Sequence, residues 1–144
     1  MSVRFNFNNF LVASSNLYAV IPIYNSRSKS EFWILMCAMI SSIVYHMIEH
    51  HKHGMRGIGV FDSKLSHHIF LNIDRFFAIL AFLKFFDIRL LSKNYLLTTI
   101  LLGFMMMGLS EIVFYTPFFK RSYIMTHCAW HVLAFHSIYL AQKY

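Results

Sequence analysis

Between short polar breaks, this chain is written in apolar runs close to twenty residues long, and that length constrains its fold more than any other feature. A helix rises about 1.5 Å per residue, so about 20 apolar residues make a rod as long as a bilayer's hydrocarbon layer is thick. The run Glu31 to Glu49 (EFWILMCAMISSIVYHMIE) has this form. So do Tyr95 to Tyr115 (YLLTTILLGFMMMGLSEIVFY) and about Tyr123 to Leu140 (YIMTHCAWHVLAFHSIYL). The run from about Ile69 to Ile88 carries Asn72, Asp74 and Arg75 near its start and Lys84 and Asp87 near its end. The last two can snorkel toward an interface, whereas Asp74 is deeper. The first run, about Asn9 to Tyr24, is short and ends with Pro22. These runs predict one all-α domain over residues 1–144, a polytopic bundle of about five transmembrane helices near 9–24, 31–49, 69–88, 95–115 and 123–140.

Composition agrees with lipid as the solvent. The chain is 58% hydrophobic with a mean hydropathy of +0.52, and charged residues are 13% where soluble domains carry about a quarter. A soluble chain of 144 residues cannot bury that much apolar surface. The net charge of +7 does not point to nucleic acid, because the basic residues sit between the runs, as at Arg27, Lys29, Lys52, Arg56, Lys64, Arg89, Lys93, Lys120 and Arg121. That is where they meet lipid headgroups. Counted by side, they are too evenly split to set an orientation. Cys37 and Cys128 both lie inside apolar runs, which argues against a disulfide framework. Asn6, Asn8, Asn9 and Asn16 interrupt the first run, so it does not read as a cleavable signal. The longest loop, about His50 to Ser66, holds Gly54, Gly57 and Gly59 and reads as irregular.

Ionisable groups within spans are costly, and they mark function by default. His46 lies near the end of the second run, Asp74 near the start of the third, Glu111 near the end of the fourth, and His127 and His131 in the first half of the fifth. Helix direction alternates, so all of these fall in the same leaflet. His127 and His131 are four apart and share a helix face; so do Ser42 and His46. Two histidines on one turn can chelate a metal ion, and a third from another helix would complete three nitrogen ligands with an open position for water, as in catalytic zinc sites. Asp74 could then orient that water or take its proton. The same residues also suit a plainer role as interfacial or interhelical hydrogen-bonding groups.

The other polar residues fit ordinary roles. His136 should face elsewhere, five residues past His131. His50, His51 and His53, with His67 and His68, read as loop or headgroup-facing residues. Glu111 could support the site or simply close its helix beside Ser110. Met105, Met106 and Met107 read as span packing. Gly103 and Gly108 should allow close helix approach.

Taken in order, Ser42-x3-His46 ending one span, Asp74 beginning the next and His127-x3-His131 beginning the last, the set resembles the CREST superfamily of membrane hydrolases. That group comprises alkaline ceramidases, progestin and adipoQ receptors, and myomaker-like proteins. Ser15-Asn16-Leu17 followed by Pro22 is similar to a stretch of the alkaline ceramidase first helix. The resemblance implies a zinc-dependent hydrolase acting within the membrane on a lipid amide, as in ceramide, or another acyl lipid. His46, His127 and His131 would hold zinc, Asp74 would sit next to the activated water, and Ser42 would support the site or the developing oxyanion. Members of that group have seven spans, so two between Asp74 and the histidine pair are missing here. A second copy of the chain could complete the smaller cavity. One competing expectation is a small non-enzymatic polytopic membrane protein (structural, assembly or channel-like) whose histidines and Asp74 form interhelical hydrogen bonds; another keeps the fold and a structural zinc site without hydrolysis.

Overall fold

The structure, a computed structural model, describes residues 6–51, 55–57, 64–86, 92–115 and 122–144. Of the residues singled out above, Lys52, His53, Gly54, Gly59, Asp87, Arg89, Lys120 and Arg121 lie outside the described residues, as do the side chains of His51, Lys64 and Glu111.

The fold is all-α. Its elements in chain order are α1 (Phe7–Ser15), a 3-10 turn (Asn16–Ala19), α2 (Val20–Tyr24), α3 (Lys29–Ile48), β1 (His50–His51), β2 (Met55–Arg56), α4 (Lys64–Phe85), α5 (Asn94–Tyr115) and α6 (Ser122–Ala141). Capping residues begin the first and third helices. The Asn6 side chain accepts from the Asn8 and Asn9 N–H groups at 2.9 and 3.4 Å. The Ser28 hydroxyl accepts from the Glu31 N–H at 3.2 Å, and the Glu31 carboxylate accepts from the Arg27 N–H at 2.8 Å, which satisfies donors a helix start otherwise leaves open.

Three element boundaries differ from the sequence reading. The first run is helical from Phe7 to Tyr24, and Pro22 lies inside α2 rather than ending the run. Pro22 has no N–H to return to the preceding turn, and the chain tightens into the 3-10 turn just upstream. The fourth helix, α4, begins at Lys64 rather than near residue 69 and ends at Phe85. Asp74 therefore stands at the middle of its helix and not near the start. Part of the expected irregular loop is ordered as the β1–β2 pair, with His50 opposite Arg56 and His51 opposite Met55.

Packing falls into two pairs joined by the N-terminal path. Helix α4 lies along α3, α5 lies along α6, and α1, the 3-10 turn and α2 sit against both α3 and α6. The main core joins Ala19, Ile23, Leu35, Ala38, Met39, Ala81 and Phe135, so it draws on α2, α3, α4, α6 and the 3-10 turn. A second cluster of Val12, Met55 and Tyr123 closes the end where α3 finishes. The Arg27 guanidinium donates to the Gln142 carbonyl and ties the opposite end together. Gly103 faces α6, where a Cβ would make ordinary contact with the Trp130 ring at 3.5 Å and Leu133 at 3.6 Å. Gly108 faces open space, so the expected approach there is absent: it lies beyond the seam that Gly103 shares with α6.

Among the described residues, one helix, α3, is long and apolar enough to cross a membrane. Polar residues dilute α4, which contains Asp74, Arg75 and Lys84, and α6, which contains His127, His131 and His136.

Candidate metal centre

Helical period alone puts His127 and His131 on one face of α6, and the α1-mediated packing of α6 on α3 brings His46 to them. The three imidazoles form a nearly equilateral triangle, each pair of ring centroids 4.8 Å apart. Their potential ligand nitrogens all lie within 4.8 Å of one another. His46 and His131 are buried, at 1% and 5% exposure, and His127 is half-buried.

Two of the three rings are held by hydrogen-bonding contacts at Nδ1. His46 Nδ1 lies 2.7 Å from Glu49 Oε2, and a carboxylate only accepts, so Nδ1 carries the hydrogen. His131 Nδ1 lies 2.8 Å from the Ser15 hydroxyl, with the Asn16 amide at 3.2 Å. Ser15 also donates to the Val12 carbonyl at 2.6 Å, so it ties His131 to α1. His46 therefore keeps its lone pair on Nε2. A ligand histidine whose other nitrogen is held by a carboxylate or hydroxyl is the usual arrangement around zinc.

A metal ion fits these residues. His46 Nε2 is buried and has no hydrogen-bond partner, a costly state that coordination would relieve. Zinc with bonds of about 2.0–2.1 Å in tetrahedral geometry sets nitrogen separations of about 3.3 Å. Among the described residues three histidines converge, the number of protein ligands typical of a catalytic zinc site.

Ser42 and Asp74 lie near the cluster, Asp74 from mid-helix. Ser42 is buried one turn before His46, and Asp74 lies within interaction range of both Ser42 and His46. Ser42 and Asp74 line a cavity of about 150 Å³ between α4 and the α5–α6 pair. Asn16, Ser42, Asp74 and His131 form its polar end, and Ala81, Phe85, Phe104, Trp130, Phe135 and Ile138 are among the residues of its apolar body.

Among the described residues, the other histidines stay out of the cluster. His136 Nδ1 pairs with the Tyr18 hydroxyl at 2.9 Å, His67 packs on the Tyr45 ring, and His50 and His68 are exposed. Four residues around the centre were not identified from the sequence. Glu49, used there only to end a run, receives the Tyr45 and Tyr123 hydroxyls on Oε1 at 3.2 and 3.1 Å. Asn9 clamps the end of α3 by donating to the His46 and Glu49 carbonyls, both at 2.7 Å. The local signal for Glu49 was an acid three residues after a candidate ligand, one helical turn away. Asn9 had no such signal, because its partners are 37 and 40 residues distant.

No protein-family model and no solved structure matches the chain. An uncharacterised protein of Acanthamoeba polyphaga mimivirus, protein L282, is 33% identical to it over 148 residues, an alignment covering 94% of this chain and 96% of that protein.

Proposed function

The chain belongs to the same family as the mimivirus protein L282, and we propose that it is a zinc-dependent hydrolase acting within a membrane on a lipid amide or another acyl lipid. The observation that carries the proposal is the convergence of His46, His127 and His131 beside the Ser42–Asp74 pair. Zinc, when bound, lowers the pKa of coordinated water toward 7 and polarises a carbonyl. The protein's own residues supply the rest. The apolar body of the cavity takes up an acyl chain and directs its carbonyl toward His131. Asp74 accepts the proton of the attacking water and returns it to the leaving nitrogen or oxygen as the bond to the carbonyl carbon breaks. Ser42, with one hydrogen to give, either holds Asp74 in place or donates to the oxygen on which negative charge develops.

Membrane residence, with several helices crossing, belongs to the same proposal. Helices of 20 and 22 residues, as α3 to α6 are, rise about 30–33 Å, close to the thickness of a hydrocarbon core. Large apolar side chains point outward along them: Phe76, Ile79 and Leu83 on α4, and Leu101, Met105 and Ile112 on α5. Contiguous apolar surface of this kind suits lipid better than water.

The test is metal analysis of the purified full chain in detergent, with turnover measured on a panel of ceramides and other acyl lipids. One zinc per chain is expected, lost in His131→Ala. Asp74→Asn should retain zinc and lose at least about 100-fold in turnover, the lower end of what general acid–base chemistry contributes. Chelation should abolish turnover and zinc should restore it. Full turnover by metal-free protein overturns the proposal. Stoichiometric zinc without hydrolysis of any lipid in the panel gives the centre a structural role instead.

A further inference from the structure

Glu49 stands just past the last turn of α3, in extended backbone, yet is only 3% exposed. Its carboxylate turns back over the helix end. Oε2 accepts from His46 Nδ1 at 2.7 Å, and Oε1 accepts from the Tyr45 and Tyr123 hydroxyls at 3.2 and 3.1 Å. Tyr123 begins α6 one turn before His127, and its ring stacks on that imidazole with centroids 5.2 Å apart and planes at 28°. One carboxylate thus touches a candidate ligand on α3 and, through Tyr123, the residue packed on a candidate ligand of α6.

A carboxylate taken out of water is costly unless several donors meet it, and an apolar residue would fill the same volume without that cost. What a carboxylate does here, and an apolar side chain cannot, is fix the hydrogen of His46 on Nδ1 and raise the donor strength of Nε2. We infer that Glu49 is a positioning residue of the metal centre: it aims His46 Nε2 at the ion and, through Tyr123, holds α3 and α6 at the separation the three imidazoles need. The inference rests on the metal reading above.

Its test is titration of Co²⁺ into the full chain in detergent micelles, followed by the visible d–d absorption of the ion. The wild-type chain is expected to bind one Co²⁺ with the bands of a four-coordinate site. Glu49→Gln should keep that stoichiometry, bind about tenfold more weakly and shift the bands; Glu49→Leu should bind about a hundredfold more weakly. Tyr123→Phe keeps the ring and removes only the hydroxyl, and is expected to weaken binding severalfold. A shift in the bands separates a change at the ion from a general loss of stability, and unfolding of the metal-free variants checks that the fold is kept. If Glu49→Gln does not fold, Tyr123→Phe decides alone. Variants that fold and bind Co²⁺ with wild-type affinity and spectrum overturn the role of Glu49 and leave the metal centre standing. A wild-type chain that binds no Co²⁺ overturns both.

Discussion

At the end of α3 the carbonyls of His46 and Glu49 leave the helical ladder inside the protein, and one amide side chain meets both. Asn9 is fully buried; its nitrogen donates to those two carbonyls, and its oxygen accepts from the Arg56 and Gly57 N–H groups at 2.9 and 3.3 Å. Asn9→Leu fills similar volume and leaves four backbone groups unsatisfied. A single orphaned buried group costs about 1–3 kcal/mol. The variant is therefore expected to lose at least about 3 kcal/mol, read from its thermal unfolding in detergent. Asn9 was invisible as a structural residue in the sequence, where it only broke an apolar run. His127 and His131 were legible because their relation is set within one turn of one helix. Ser42 and His46 were legible for the same reason.

At the scale of elements, two glycines separate backbone need from packing need. Gly57 follows β2 at φ +61, and a Cβ there would lie 2.8 Å from the Ile48 carbonyl oxygen. Both the left-handed backbone and the close approach require glycine. Gly57→Ala is expected to destabilise by about 1–3 kcal/mol and to disturb the helix end that carries His46 and Glu49. Gly103 is helical, and its added Cβ would make ordinary contact with Trp130 and Leu133. Gly103→Ala is expected to be neutral or to stabilise by up to about 1 kcal/mol, since alanine loses less chain entropy in a helix. Denaturation of the two variants side by side checks the contrast. Helix existence was readable from the apolar runs, but helix ends were not. The start of α4 lies in a polar segment, Lys64 to His68, with no apolar period to announce it. That error alone moved Asp74 from mid-helix to helix start.

For the whole molecule, the arrangement is an α3–α4 pair and an α5–α6 pair bridged by the N-terminal helical path, with the cavity in the gap between α4 and the second pair. Three of the metal-centre residues, Ser15, His46 and His131, come from three different parts of this assembly. Proposed membrane residence makes its own expectation: the chain stays in the membrane pellet after an alkaline carbonate wash and is released by detergent. Recovery as a water-soluble monomer overturns it. Without its own alternation of apolar and polar runs the chain could not be read as helical at all. That pattern, together with the one-turn spacings of Ser42 with His46 and His127 with His131, is local chemistry, repeated every 3.6 residues, and the sequence alone determined it. Only tertiary structure decided that His46 meets a pair 81 and 85 positions away, that Ser15 holds His131, that Glu49 faces inward, and that Gly103 rather than Gly108 touches a neighbour. Those contacts depend on how helices dock, and docking is set by the summed shapes of many side chains rather than by any period within one helix.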